Sequence, residues 1–169
     1  MAGDKKYSLW LMPSGSVYPK LRALIEELSK RYSSPMFEPH VTLAGPFTGQ
    51  EGDVIARAEK LSRIIKPCAI NLGEVDMMDD FHRCLFIMVA KTRELMTANL
   101  EACKLFKLRS NYMPHLSLIH GNFPVDVKKE IIETLGRFEG MSFTAHSMHL
   151  FVIDGDVKNW HRIKEFRLQ

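Results

Sequence analysis

Pro39-His40-Val41-Thr42-Leu43 and Pro114-His115-Leu116-Ser117-Leu118 are two copies of one pattern. Each sets a histidine and a hydroxyl residue two positions apart and fills the other places with apolar side chains. Along a β-strand, residues i and i+2 share a face. His40 and Thr42 therefore project together while Val41 and Leu43 turn into a core, and His115 and Ser117 do the same. Two such strands side by side enclose one pocket with two imidazoles and two hydroxyls, a set suited to acid–base chemistry on a phosphate.

Working outward from the motifs, residues 7–13 read as a short apolar strand, and Pro13-Ser14-Gly15-Ser16 as a turn that caps a helix. Residues 17–32 follow with an apolar stripe of Val17, Leu21, Leu24, Ile25 and Leu28 at helical spacing. After the first motif strand, the spacing predicts a helix over 53–65 and a strand over 68–78. The order then recurs: a strand over 84–90, a helix from the Thr92 cap to 106, the second motif strand, and a helix beginning at Pro124. Strands over 141–153 and 159–168 complete the chain. Each half, about 7–80 and about 81–169, reads strand, helix, motif strand, helix, strand. These halves predict an α+β fold: a single domain over 1–169 with two pseudo-symmetric lobes. Mainly antiparallel sheets would form a central cleft, with helices on the outside.

The chain has 169 residues, enough to bury a substantial core. Its net charge of +3 suits an anionic ligand, but its basic residues are too few and too dispersed for a dedicated nucleic-acid binder. The three cysteines, Cys68, Cys84 and Cys103, are odd in number and lack metal-type spacing. They read as reduced, buried thiols of a cytosolic protein. Residues 1–6 carry no apolar leader and no run reaches transmembrane length, so the expected compartment is the cytoplasm. The expected partner is a small substrate alone, with no membrane, no stable nucleic-acid partner and no cofactor, and the expected state is a monomer.

Histidine ionises near pH 6.5, so one imidazole can take a proton from water while the other gives one to a departing oxygen. The Thr42 and Ser117 hydroxyls can donate to the non-bridging phosphate oxygens. A strained five-membered cyclic phosphate needs no metal for this. Trp10, in the first strand, either stacks on a base or sugar or packs as a core or rim aromatic. His146 and His149 face opposite sides of a strand and lack ligand partners, which reads as structural or surface and not as a metal site. His161 is expected to pack on the sheet. His82 and Arg83, near the Asp79-Asp80 turn, either reach a ligand phosphate or form a solvated hairpin tip.

The segments Pro-His-Val-Thr-Leu-Ala-Gly-Pro-Phe from Pro39 and Tyr-Met-Pro-His-Leu-Ser-Leu-Ile-His-Gly from Tyr112 resemble the 2H phosphoesterases, and within them the cyclic phosphodiesterase branch. The opening Tyr-Ser-Leu-Trp-Leu-Met-Pro from Tyr7 fits the same branch. The resemblance implies hydrolysis of 2′,3′-cyclic nucleotides to 2′-phosphates. It also implies conversion of ADP-ribose 1″,2″-cyclic phosphate, a by-product of tRNA splicing, to ADP-ribose 1″-phosphate. It makes His40 and His115 the catalytic pair, with His115 as base and His40 as acid, and Thr42 and Ser117 the phosphate-holding hydroxyls. In similar proteins an aromatic just past the second motif flanks the base. Here that position is His120, which turns toward the site only if the chain bends near Gly121. An enzyme acting on RNA 2′,3′-cyclic ends or 2′–5′ linkages is the alternative within the same chemistry. A non-catalytic nucleotide- or RNA-binding module is the alternative outside it.

Overall fold

Val41, Leu43, Leu116 and Leu118 are fully buried and fix which face of each motif strand turns inward. In the computed structural model, which describes residues 5–169, these strands are β2 (Val41–Gly49) and β5 (His115–Ile119). Residues 1–4, on which the reading of the amino-terminal end partly rests, lie outside the described residues. The other strands are β1 (Lys5–Leu11), β3 (Cys68–Met77), β4 (Leu85–Val89), β6 (Ser142–Ala145), β7 (Ser147–Val152) and β8 (His161–Arg167). The helices are α1 (Val17–Tyr32), α2 (Glu51–Ser62), α3 (Arg93–Phe106) and α4 (Val125–Thr134).

The strands form an eight-stranded antiparallel sheet in the order β6-β3-β4-β5-β2-β1-β7-β8. The two motif strands are neighbours at its middle, joined where Val41 stands opposite Leu116. The α+β architecture with outer helices stands, and the two lobes share one sheet. The lobes are not the two halves of the sequence, however. β3 leaves the first half to pair with β4, and β7 returns from the second half to pair with β1. The first half thus lends β3 to the second, α2 carrying the chain across the seam, and the second half lends β7 and β8 to the first, crossing at the break between β6 and β7.

The helices bind the two units crosswise: α1 packs on β5 and α3 on β2. Leu21, Ile25 and Leu28 supply the buried stripe of α1, and Leu95, Ala98, Ala102 and Phe106 that of α3. Thr92 caps α3 as expected, its hydroxyl accepting from the Leu95 amide at 3.3 Å. Ser16 precedes α1 without capping it. Its backbone is already helical (φ −71°, ψ −14°), whereas a side-chain cap needs an extended one. α2 begins before Asp53, where Val54 N–H closes its first turn on Gln50, and Glu51 and Asp53 sit at its positive end. The expected strand over 141–153 is two strands, interrupted at His146.

No helix of the described residues is long and apolar enough to cross a membrane. All three cysteines are buried and unpaired, and burial pushes the Cys68 thiol up to about 11.

Candidate active site

The register that puts Val41 opposite Leu116 also orders the motif side chains. Extended by one residue each way, it sets His40 across from Ser117 and Thr42 across from His115. Side chains directly opposite on antiparallel strands have Cβ atoms about 5 Å apart. Four polar groups therefore meet on one face, histidine facing hydroxyl on both diagonals of a pseudo-twofold. The strand carrying half of them is pinned from α3 and from the segment that follows it. Asn99 donates to the Leu43 carbonyl at 2.8 Å, and Tyr112 donates its hydroxyl to the Thr42 carbonyl at 2.8 Å.

Each histidine is oriented by the same local device. His40 Nδ1 lies 2.6 Å from the Glu38 carbonyl, and His115 Nδ1 lies 2.8 Å from the Met113 carbonyl, each bond spanning the intervening proline. A carbonyl only accepts, so Nδ1 carries the hydrogen and Nε2 keeps its lone pair. The proline has no N–H of its own and holds the residue before it extended. Burial pushes His40 down to about 4, against the Glu38 bond, with nearby His115 adding to the shift. Burial also lowers His115, though less severely. Burial thus favours the neutral form of both imidazoles in the free protein.

Trp10 is 2% exposed and does not offer a face to a ligand. The His40 ring stacks on it at 3.5 Å and the Phe151 ring at 3.8 Å, both near-parallel. Two such rings this close fit only on opposite faces of one indole. The indole N–H is spent on Ser8 Oγ at 2.9 Å. The base-stacking reading of Trp10 gives way to its packing alternative: Trp10 is the wall behind His40.

His120 does turn toward the site. Gly121 follows it at φ 156°, where an added Cβ would lie 2.4 Å from the Phe123 ring. The His120 ring stacks on Phe37 at 3.9 Å and meets His82 and Trp160 edge-on. Trp160, absent from the sequence-based candidates, also meets Trp10 at 5.9 Å. Its only sequence signal is an aromatic beside the Asp154-Gly155-Asp156 turn. His120 Nδ1 and Trp160 Nε1 are buried without a hydrogen-bond partner among the described residues. Such atoms call for a polar partner.

The segment between β3 and β4 lies over the second motif. Ser117 Oγ donates to the His82 carbonyl at 2.9 Å, and the Gly121 amide to the Phe81 carbonyl at 2.9 Å. Lys128, 3% exposed, reaches from α4 to the Met78 carbonyl at 2.8 Å. His82 is thus a neighbour of the site, whereas Arg83 is occupied by Asp80 at 3.0 Å. His161 is exposed rather than packed on the sheet, tied by Nδ1 to the Asn159 carbonyl. His146 lies in the break between β6 and β7 rather than on a strand with His149, and both border one cleft. No group of three or more metal-ligating side chains occurs among the described residues.

A family model described as "Cyclic phosphodiesterase-like protein" matches residues 6–168. The chain is 29% identical over 159 residues to the cyclic phosphodiesterase of Arabidopsis thaliana, covering 90% of this chain and 87% of that protein. Its fold is similar to that of E. coli LigT in apo form, with a TM-score of 0.71 at 12% identity over 99% of both chains. It is also similar to TT0787 of Thermus thermophilus, with a TM-score of 0.63 at 14% identity over 96% of this chain and 97% of that one. The two solved structures bear on the fold, while the family model spans nearly the whole chain. The protein with this doubled histidine–hydroxyl face is a member of the cyclic phosphodiesterase-like family of 2H phosphoesterases, a phosphodiesterase.

Proposed function

We propose that the protein hydrolyses small cyclic phosphates: 2′,3′-cyclic nucleotides to 2′-phosphates, and ADP-ribose 1″,2″-cyclic phosphate to ADP-ribose 1″-phosphate. The observation that carries this reading is the matched pair of imidazoles, each with Nδ1 tied to a backbone carbonyl and Nε2 left as the working nitrogen. His115 Nε2 takes a proton from water as its oxygen bonds to phosphorus. The P–O3′ bond breaks, and O3′ takes a proton from His40 Nε2, leaving the 2′-phosphate. The phosphate's negative charge favours the imidazolium that burial alone opposes.

Thr42 and Ser117 donate to the non-bridging oxygens as charge gathers there. Ser117 does so by turning its hydroxyl from the His82 carbonyl, exchanging a neutral acceptor for a charged one. His120 Nδ1 and Trp160 Nε1 offer hydrogen bonds to a polar edge of the sugar or base. The chemistry needs no metal, because ring strain supplies the reactivity.

Phosphorus NMR of each cyclic substrate incubated with the protein in EDTA tests this. Clean formation of the 2′-phosphate and the 1″-phosphate is expected, and its loss in His40→Ala and in His115→Ala. No turnover by the wild type, or turnover retained by both variants, refutes it.

A further inference from the structure

The two motif strands share very little ladder. Among the described residues Val41 and Leu116 are the only registered pair between them, whereas β1 and β2 are paired from Lys5 opposite Gly49 to Leu11 opposite Val41. The motif prolines explain the difference. The same register sets Pro114 opposite Leu43 and Pro39 opposite Leu118, and a proline has no N–H with which to continue a ladder. The seam across which the catalytic groups face one another is therefore bracketed at both ends by residues that stop it.

At the Pro114 end, side chains replace the missing ladder. Asn99, 4% exposed, donates to the Leu43 carbonyl at 2.8 Å and accepts from the Ser110 hydroxyl at 2.9 Å. Tyr112 donates its hydroxyl to the Thr42 carbonyl at 2.8 Å. Tyr112 also reaches the second motif through its own backbone. The next residue, Met113, supplies the carbonyl that fixes His115 Nδ1 at 2.8 Å. The Pro114 carbonyl accepts from the Val89 amide at 3.1 Å, so the stretch is fastened to β4 as well. Burial pushes the Tyr112 phenol well above its ordinary range, and its hydroxyl stays a donor wherever the protein works.

The Pro39 end is built differently. Three residues before His40, the place that matches Tyr112 before His115, stands Phe37, which has no hydroxyl. Its ring stacks on His120 at 3.9 Å and meets His40 edge-on at 6.3 Å. The hydrogen-bonded tie thus serves one diagonal of the motif face, Thr42 with His115.

We propose that Tyr112 is a positioning residue for the phosphodiester reaction: its hydroxyl sets how far Thr42 stands from His115. It thereby places the phosphate that Thr42 holds against the imidazole that works on it. The inference rests on the proposed roles of Thr42 and His115.

Tyr112→Phe removes the hydroxyl and keeps the ring, so the packing of the segment is retained. With 2′,3′-cyclic AMP, kcat is expected to fall about tenfold while KM moves little, a part of the roughly 10²-fold loss that a misplacement of about 1 Å brings. A double-mutant cycle separates this from a general loosening of the fold. The loss is expected to shrink in a Thr42→Ala background and to stay whole in a Ser117→Ala background, because Ser117 belongs to the other diagonal. An unchanged kcat in Tyr112→Phe, or a coupling to Thr42 no larger than that to Ser117, overturns the proposal.

Should the wild type hydrolyse no cyclic phosphate, the proposed activity fails, and the tie is then decided without substrate. Proton NMR follows exchange of the two imidazole Nδ1 hydrogens with water. In Tyr112→Phe that of His115 is expected to exchange about fivefold faster, the order of one lost hydrogen bond, and that of His40 to stay as it was. Exchange unaltered at His115, or quickened equally at both, overturns the role of Tyr112.

Discussion

Replacing Trp10 distinguishes a wall behind His40 from a platform for a base. The indole is held between His40 at 3.5 Å and Phe151 at 3.8 Å, and its N–H bonds Ser8. Trp10→Leu removes two stacked ring pairs, about 0.5–1.5 kcal/mol each, and one hydrogen bond of about 1 kcal/mol. It also leaves a partly filled cavity, so a loss of roughly 3–4 kcal/mol of stability is expected in urea unfolding. With one side of its ring unsupported, His40 loses its alignment. Misplacement of a reacting group by about 1 Å costs about 10²-fold, so kcat is expected to drop by roughly 10–100-fold while KM moves little. Water admitted to the space relieves the burial that depresses His40. Its ionisation, followed by proton NMR of the imidazole, is expected to climb from about 4 toward the ordinary value. Trp10→Phe, which keeps a stacked ring, is expected to fall between the two. The reasoning is refuted if Trp10→Leu raises KM in a base-dependent manner with kcat intact, or if the His40 titration does not move.

Because burial lowers both motif histidines, kcat/KM, which reports the free enzyme, is expected to peak below pH 6.5; a peak above about pH 7 contradicts this. The kcat optimum is expected to lie higher, since bound phosphate raises both groups. His40 also makes stability depend on pH. With a folded value of about 4 and an ordinary value of 6.5, the unfolded chain binds the proton first. Its contribution is complete above pH 6.5 and is lost as pH falls toward 4, by roughly 3 kcal/mol. His40→Asn is expected to flatten that slope in urea titrations at pH 7.5, 6 and 5, and an unchanged slope would count against it. Thr92→Ala, at the cap of α3 and away from the motifs, is expected to cost about 1 kcal/mol without altering kcat/KM.

The motif strands, their inward residues and most helix cores were legible because strand and helix periods write burial directly into the sequence. Val41, Leu43, Leu116 and Leu118 alternate with the site residues, and Leu21, Ile25 and Leu28 recur at helical spacing. What the sequence could not convey was partnership between distant elements. Nothing local to β3 or β7 says that each crosses to the other half, since strand pairing depends on connections rather than composition. Trp10 illustrates the same limit. An aromatic on the site face is equally compatible with stacking on a base or under a histidine, and only the position of Phe151, far along the chain, decides between them. Trp160 carries no local signal of its place, because its neighbours His82 and His120 arrive from two other loops.

Repetition of one motif supplies two chemically equal imidazoles, yet hydrolysis at phosphorus needs two unequal ones. The local devices are indeed equal: a proline, a carbonyl two residues back and a free Nε2. The inequality comes from what each strand is packed against. His40 has Trp10 flat against one face, and Phe37 meets it edge-on. His115 meets Phe86 only at 5.1 Å and in a tilted, edge-on manner. The more enclosed ring resists its positive charge more, so the pair is biased before any substrate arrives.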